Sequence, residues 1–288
     1  MIKITIITNT IRRPLDLVSK SVESSLAQDS VIGVVLMDQN QSPLIFPAQI
    51  ENHSKFKHLT AVVPSVSMAR NLAPYPADSE WLIFCDDDGY LEAGYVSKLL
   101  ELFRQHPQVE IFAGSIKRID NGEYYSKRHA IGGDMKWFIN TKLLMGSNFV
   151  IKRSVFEKLG KFDEMFGAGA PYGSSEETDL AWNAFFHGVK MRYSPELVVF
   201  HVPPFATDAK NEIKKAYRYG VGKAALVRKW LFLGKISVLL ELGEMFVIPL
   251  LKSPMFLLML KGKEALVQVS GLAGRFTGLF TVRKPTHD

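Results

Sequence analysis

The run Trp81-Leu82-Ile83-Phe84-Cys85 followed at once by Asp86-Asp87-Asp88 constrains this chain more than any other feature. A short apolar run bounded by polar residues reads as a buried strand. Three adjacent carboxylates at its end repel one another, and the repulsion grows beside a low-dielectric core. A cation relieves it, and Asp oxygens are hard ligands suited to Mg²⁺ or Mn²⁺. A simpler role is capping a helix that starts near Leu91. One Asp suffices for a cap, and this turn has three. Ligands of open α/β sheets bind just beyond the carboxyl ends of strands, so this turn marks a candidate site.

The segments before it support such a sheet. Ile2 to Thr8 is β-branched, as a buried parallel strand should be. A loop with Arg12 and Arg13 leads to Pro14, a good first-turn residue. Leu15, Val18, Val22 and Leu26 then recur at helical spacing, predicting a helix from Pro14 to about Gln28. Val31 to Met37 is a second strand ending at Asp38, and Leu59 to Val63 reads as a third. Ser65 to Ala73 has a helical pattern carrying Arg70, stopped by Pro74 and Pro76. After the Asp run come a helix over Ala93 to Gln105 and a strand over Val109 to Ile116. Strand–helix alternation implies a parallel-rich sheet. It would bring the strand ends at Thr8, Asp38 and Asp86 to Asp88 around one crevice.

Arg118 to Leu143 has a weaker pattern, with a turn signal at Asn121-Gly122, and is expected to hold loops and short antiparallel strands. Gly146 to Ile151 resumes a strand, and Ser154 to Leu159 is a short helix stopped by Gly160. A long loop rich in glycine and small residues, Phe162 to Ser175, then leads into Glu176-Glu177-Thr178-Asp179-Leu180, the start of a helix through Phe186. Acidic residues in a first helical turn also serve the helix dipole. Val189 to Tyr193 and Leu197 to Phe200 read as two strands, with His201 closing the second.

The 288 residues are enough for a large domain and a smaller one, divided here as 1–204 and 205–288. The lone Cys85 excludes an intrachain disulfide and reads as a core thiol. A net charge of +6 suits anionic partners. After Pro203-Pro204, Asp208 to Trp230 is a basic helix with interleaved aromatics. Ile236 to Leu260 is strongly apolar but interrupted by Glu241, Glu244, Lys252, Pro249 and Pro254. A spanning helix needs about 20 largely uncharged apolar residues. The expectation is therefore amphipathic helices lying on a membrane, the alternative being a helical subdomain or dimer face.

Taken in order, these segments resemble a family 2 inverting glycosyltransferase of the GT-A fold, a Rossmann-like mixed sheet flanked by helices. Ser67-Met68-Ala69-Arg70-Asn71 is similar to the family's Ala-Arg-Asn helix, and Asp86-Asp87-Asp88 falls on its DxD motif. Glu176-Glu177-Thr178-Asp179-Leu180 falls on its Glu-Asp-x-Asp-Leu block, and His201 on a histidine that completes the metal site. Glu177 stands where the family usually has Asp, one methylene shorter. The Asn9–Arg13 loop departs from the usual Thr-Tyr-Asn-Arg form.

The resemblance implies a nucleotide-diphosphate sugar donor, of UDP type, bound by Thr8, Arg12, Asp38, Arg70, Asp86 and Asp87. It implies Mn²⁺ or Mg²⁺ on Asp88, Asp86 and His201, and Glu177 as the base that deprotonates an acceptor hydroxyl. Glu176, Asp179, Tyr172 and Trp182 are candidates for the sugars, with core packing the ordinary use of the aromatics. The expected acceptor is a glycan or lipid-linked sugar in polysaccharide synthesis. The expected place is peripheral, on the cytoplasmic face of the membrane, with homo-oligomers an option. Competing readings are a sugar nucleotidyltransferase, against which stands the glycine-free Asn9–Pro14 loop, and a non-catalytic carbohydrate-binding protein. A nucleic-acid partner lacks a recognition motif.

Overall fold

A computed structural model describes residues 2–125, 131–203, 208–259 and 261–281. The expected division at Pro204 lies outside these residues. The chain forms two compact units, Met1–Asp163 with Leu180–Pro204, and Glu164–Asp179 with Phe205–Asp288. The stretch Glu164–Asp179, read from sequence as part of the first domain, thus groups with the C-terminal helices.

The first unit is built on a nine-stranded mixed sheet among the described residues. Its strands are β1 Ile4–Thr10, β2 Val31–Asp38, β3 Phe56–Thr60, β4 Trp81–Cys85, β5 Gly89–Leu91, β6 Ile111–Arg118, β7 Gly133–Asp134, β8 Asn148–Lys152 and β9 Met191–His201. The order is β3-β2-β1-β4-β8-β6-β9-β5, with β7 on β9. β1 is parallel to β2 and β4, and β2 to β3. β8 runs antiparallel to both β4 and β6.

Helices α1 Leu15–Leu26, α2 Ala48–Glu51, α3 Val66–Leu72, α4 Tyr95–Gln105 and α5 Arg153–Lys158 join these strands, and α6 Glu176–Phe186 begins in the second unit. One face of the sheet buries Ile4, Ile6, Ile83 and Val150 with Val18, Val22, Tyr95 and Leu99 of the helices. The other buries Ile7, Leu82, Phe84 and Phe149 with Ala69, Phe156 and Leu180. Alternate residues of β1 and β4 serve opposite cores, as strand geometry requires.

Three elements differ from their sequence reading. β3 starts at Phe56, ahead of Leu59. Its residues are half-buried or exposed, so an apolar run was a poor guide to its bounds. The turn after Asp88 enters strand β5 rather than a helix, and α4 waits until Tyr95, after Gly94 at φ +73°. The two expected strands around Pro195 are one, β9, with a register shift against β6 at Gly114/Ser115. Pro195 donates no ladder bond, and its carbonyl accepts instead from Ser115 Oγ at 2.7 Å. Asn148 plugs this bulge. Its Nδ2 donates to the Ser115 and Leu197 carbonyls at 2.7 and 2.9 Å, and its Oδ1 accepts from Tyr95 at 2.7 Å.

The second unit holds α7 Ala209–Phe232, then irregular helix through α8 Leu240–Leu242, α9 Ile248–Leu258 and α10 Gly262–Thr281. Asp208 caps α7 by accepting from the Asn211 amide at 2.7 Å. α7 and α10 meet backbone to backbone. A Cβ on Gly220 would come within 2.2 Å of the Gly271 carbonyl, and one on Gly274 within 2.1 Å of that of Tyr217. Among the described residues no helix is long and apolar enough to cross a membrane.

Candidate active site

Parallel pairing brings the expected strand ends together. Thr10 is in register with Asp38, and β4 lies beside β1 and delivers Asp86, Asp87 and Asp88 just past Cys85. β5 doubles back against β9, pairing Gly89 with His201. The Asp turn and the histidine therefore sit side by side through backbone ladders alone.

Each carboxylate of the turn has its own surroundings. Asp86 Oδ1 accepts from Arg70 Nη2 at 2.8 Å, and its Oδ2 lies 3.9 Å from His201 Nε2. Burial works against its ionisation, but His201 and Arg70 outweigh that and hold its carboxyl below the ordinary range. Asp87 accepts from Thr10 Oγ1 at 2.7 Å and from Arg13 Nε at 3.1 Å. Burial dominates there, reinforced by the neighbouring carboxylates, and lifts its pKa to about 6. Asp88 pairs through Oδ2 with Arg13 Nη2 at 2.7 Å and through Oδ1 with His201 Nε2 at 2.9 Å.

His201 contacts the Val202 carbonyl through Nδ1 at 2.8 Å and the Tyr125 hydroxyl at 3.2 Å. Burial opposes its protonation, yet Asp86 and Asp88 raise its pKa to about 11. Its Nε2 and the oxygens of Asp86 and Asp88 lie within 4.8 Å of one another. Among the described residues, buried Asp88 Oδ1 has no well-directed hydrogen-bond donor, despite the nearby imidazole. Two carboxylate oxygens and one imidazole nitrogen at this spacing fit a divalent cation.

Arg70 comes from the core side. It is 1% exposed and sits over the rings of Phe84 and Phe162. Nε donates to Asn9 Oδ1 at 3.1 Å, while the buried Nη1 has no partner among the described residues. Ser65 positions it by capping α3, accepting from the Met68 amide at 3.2 Å.

Other expected residues lie elsewhere. Thr8 is buried within β1, and Thr10 at the strand's end makes the contact to the Asp turn. Arg12 adopts φ +56°, exposes its side chain and donates its amide to Asn40 Oδ1. Arg13 is the arginine on the carboxylates. The sequence marks the Arg12/Arg13 loop but assigns the role to Arg12 and does not single out Thr10, because loop direction is not written in hydrophobic spacing; Pro14, which keeps its neighbour extended, is the available signal for Arg13. Asp38 is 0% exposed, and its oxygens accept from the Asn40 amide and side chain and the Leu44 amide while meeting His58 at 3.2 Å. It closes its own loop and offers no open oxygen to a base. Trp182 is 2% exposed with its ring 4.9 Å from that of Phe138, so the sugar-stacking role expected of it is closed to a core side chain.

In the second unit Glu176 and Glu177 are half-buried in the first turn of α6. Asp179 is buried, with both oxygens 2.8 Å from Lys229 Nζ and Oδ1 accepting from the Trp230 indole at 2.8 Å. Tyr172 remains half-exposed beside the buried Phe166 ring.

Residues 5–160 match the family described as Glycosyl transferase family 2. The chain belongs to that family. This glycosyltransferase has the GT-A fold, as its structural likenesses also show. It resembles S. aureus TarS 1–349 (TM-score 0.59, 11% identity, covering 96% of this chain and 91% of that one). It resembles to the same degree the mannosyltransferase PcManGT from Pyrobaculum calidifontis, solved with GDP-Man and Mn²⁺ (TM-score 0.59, 16% identity, 96% and 87%). TarS 1–349 in complex with UDP-GlcNAc aligns over less (TM-score 0.57, 12% identity, 78% and 66%). No curated protein matches the sequence of this glycosyltransferase.

Proposed function

We propose that this glycosyltransferase is metal-dependent and inverting, and moves a sugar from a nucleotide-diphosphate donor to a hydroxyl of a glycan or lipid-linked acceptor. The observation that carries the reading is the cluster of Asp86, Asp88 and His201 beside the buried Arg70. These three residues would hold Mn²⁺ or Mg²⁺, which supplies Lewis-acid stabilisation of the departing diphosphate. Arg70 adds a fixed positive charge and a free donor, Nη1, to the same place. Arg13 balances the carboxylates from the loop side and adds a second cation near the diphosphate. Thr8, Thr10 and Asp38 shape the nucleotide crevice, Asp38 by holding the Asn40–Leu44 loop. A UDP-type donor is the reading retained, since TarS 1–349 is solved with UDP-GlcNAc, while PcManGT is solved with GDP-Man.

Glu177 is proposed as the base that takes the acceptor proton, in a single displacement that inverts the anomeric carbon. Glu176 and Tyr172 are proposed to meet sugar hydroxyls and faces. A screen of nucleotide sugars for hydrolysis with Mn²⁺, repeated in excess chelator, tests the assignment. Turnover that survives chelation sinks the metal dependence.

The proposal includes peripheral attachment to the cytoplasmic face of the membrane, in the synthesis of polysaccharide. It is supported by Ile236, Leu240, Leu251, Phe276 and Phe280 of the second unit, all more than half exposed. Beside them in sequence, α7 carries Lys210, Lys214, Lys215 and Arg218 on exposed positions. A dimer through the same face is the competing occupant.

A further inference from the structure

The sequence singled out Glu176-Glu177-Thr178-Asp179 for its acids, and the second unit reveals what one of them is for. Asp179 is 3% exposed, and a carboxylate at that depth must be paired. Its partners are adjacent residues of α7. Lys229 Nζ reaches both oxygens at 2.8 Å, and the Trp230 indole, itself 4% exposed, donates to Oδ1 at 2.8 Å. Lys229 is caged in turn, its Nζ lying 5.4 Å from the Phe166 ring centroid and 5.5 Å from that of Trp230.

The backbone at this turn needs such a hold. Ser175, immediately before α6, has φ +76°, a conformation that is strained for a non-glycine residue. The Asp179 amide closes the turn by donating to the Ser175 carbonyl at 2.9 Å. The preceding loop is pressed onto the same helix, since a Cβ on Gly222 would meet Ser174 Oγ at 2.2 Å and the Tyr172 carbonyl at 2.7 Å. α7 thus fixes the loop at Gly222 and the helix start at Lys229 and Trp230, two turns apart.

Helical geometry then sets Glu177. A helix advances roughly 100° per residue, so Glu177 lies about 200° around from Asp179. Anchoring Asp179 to α7 turns Glu177 to the opposite side of α6 and stops that turn from rolling. We infer that Lys229 and Trp230 are positioning residues for the reaction: by clamping Asp179 they fix the carboxylate of Glu177. The inference rests on the reading of Glu177 as base. Neither Lys229 nor Trp230 touches substrate in it.

The test uses the full-length chain and the nucleotide sugar that wild type hydrolyses with Mn²⁺. Lys229→Met should lower kcat by about tenfold to a hundredfold, the scale of a misplaced catalytic group, with binding of the matching nucleoside diphosphate and Mn²⁺ nearly unchanged. Lys229→Arg, which can still pair both oxygens, should restore most of kcat. Amide hydrogen exchange at residues 175–179 should quicken in Lys229→Met and return in Lys229→Arg. Trp230→Phe removes the N–H bond and part of the ring beside Lys229 while leaving the Lys229–Asp179 pair, and serves if Lys229→Met does not fold; it should show a smaller loss of the same kind. Wild-type kcat in the folded variants, or nucleotide affinity falling in step with kcat, overturns the inference. Glu177→Gln is assayed alongside. If it keeps wild-type turnover, the base assignment falls by itself, and exchange at 175–179 still decides whether the clamp holds this turn.

Discussion

His201 Nε2 lies 2.9 Å from Asp88 Oδ1, a contact made by β9 and β5 pairing Gly89 with His201. The sheet therefore brings the turn that ends in Asp88 to the histidine, since the strand that follows it pairs with the histidine's own. Asp88→Asn keeps the shape and removes the charge. Activity should collapse while the circular dichroism spectrum and melting temperature stay near wild type, because carboxylate repulsion is relieved as the Arg13 pair is weakened. Chelator should silence the wild type in the same way, and added Mn²⁺ or Mg²⁺ should restore it. An active Asp88→Asn variant refutes a metal at this cluster.

Glu177→Gln and Asp179→Asn should fail differently. The first should bind donor normally and lose about 10²- to 10⁴-fold in turnover, the scale of general-base loss. The second removes the buried charge that Lys229 and Trp230 hold and should cost about 3–5 kcal/mol of stability. Calorimetric melting separates them. If Asp179→Asn melts like wild type yet is inactive, while Glu177→Gln works, Asp179 is the base.

Gly114 makes a claim on the sheet itself. A Cβ there would stand 2.2 Å from the Leu197 carbonyl and 2.5 Å from Asn148 Nδ2. Gly114→Ala should destabilise the first unit by about 1–3 kcal/mol, as overpacking does. A denaturant midpoint equal to wild type would show that the β6–β9 bulge is soft.

The exposed apolar side chains of the second unit predict binding to vesicles. Each Lys or Arg near an anionic surface contributes about 1 kcal/mol, which salt screens. Apolar contact adds a salt-insensitive part. The protein should co-sediment with anionic liposomes, bind less at high salt, and not release fully. A monodisperse dimer indifferent to liposomes would assign the same face to a second copy.

Much of the first unit was legible because its strands are buried on both faces and end in charge. Trp81 to Cys85 is apolar throughout and stops at Asp86, so both bounds and the site were visible. Strand direction was not, since β8 runs against β4 with the same apolar pattern a parallel strand would show. Pro195 split β9 on paper because the bulge that accommodates it is formed by β6. Arg70 was legible, being on a helix with a cap and a stop. Arg13 was not, because which of two neighbouring arginines turns inward depends on the φ of Arg12. The hold on Asp179 comes from residues some fifty positions further on, and no local pattern pairs an acid in one helix with a lysine in another.

Cys85, the chain's one cysteine, lies wholly inside β4, its thiol directed at the Gly89 carbonyl and pushed well above its ordinary pKa by burial. A thiol so placed is silent to maleimides. Any cysteine introduced on the surface would then be the sole reactive group in an otherwise native background. Fluorophores or spin labels could be put on each unit in turn without first removing a native residue. The enzyme is thus ready-made for measuring, in solution, how the distance between its two units responds to nucleotide, to metal and to vesicles.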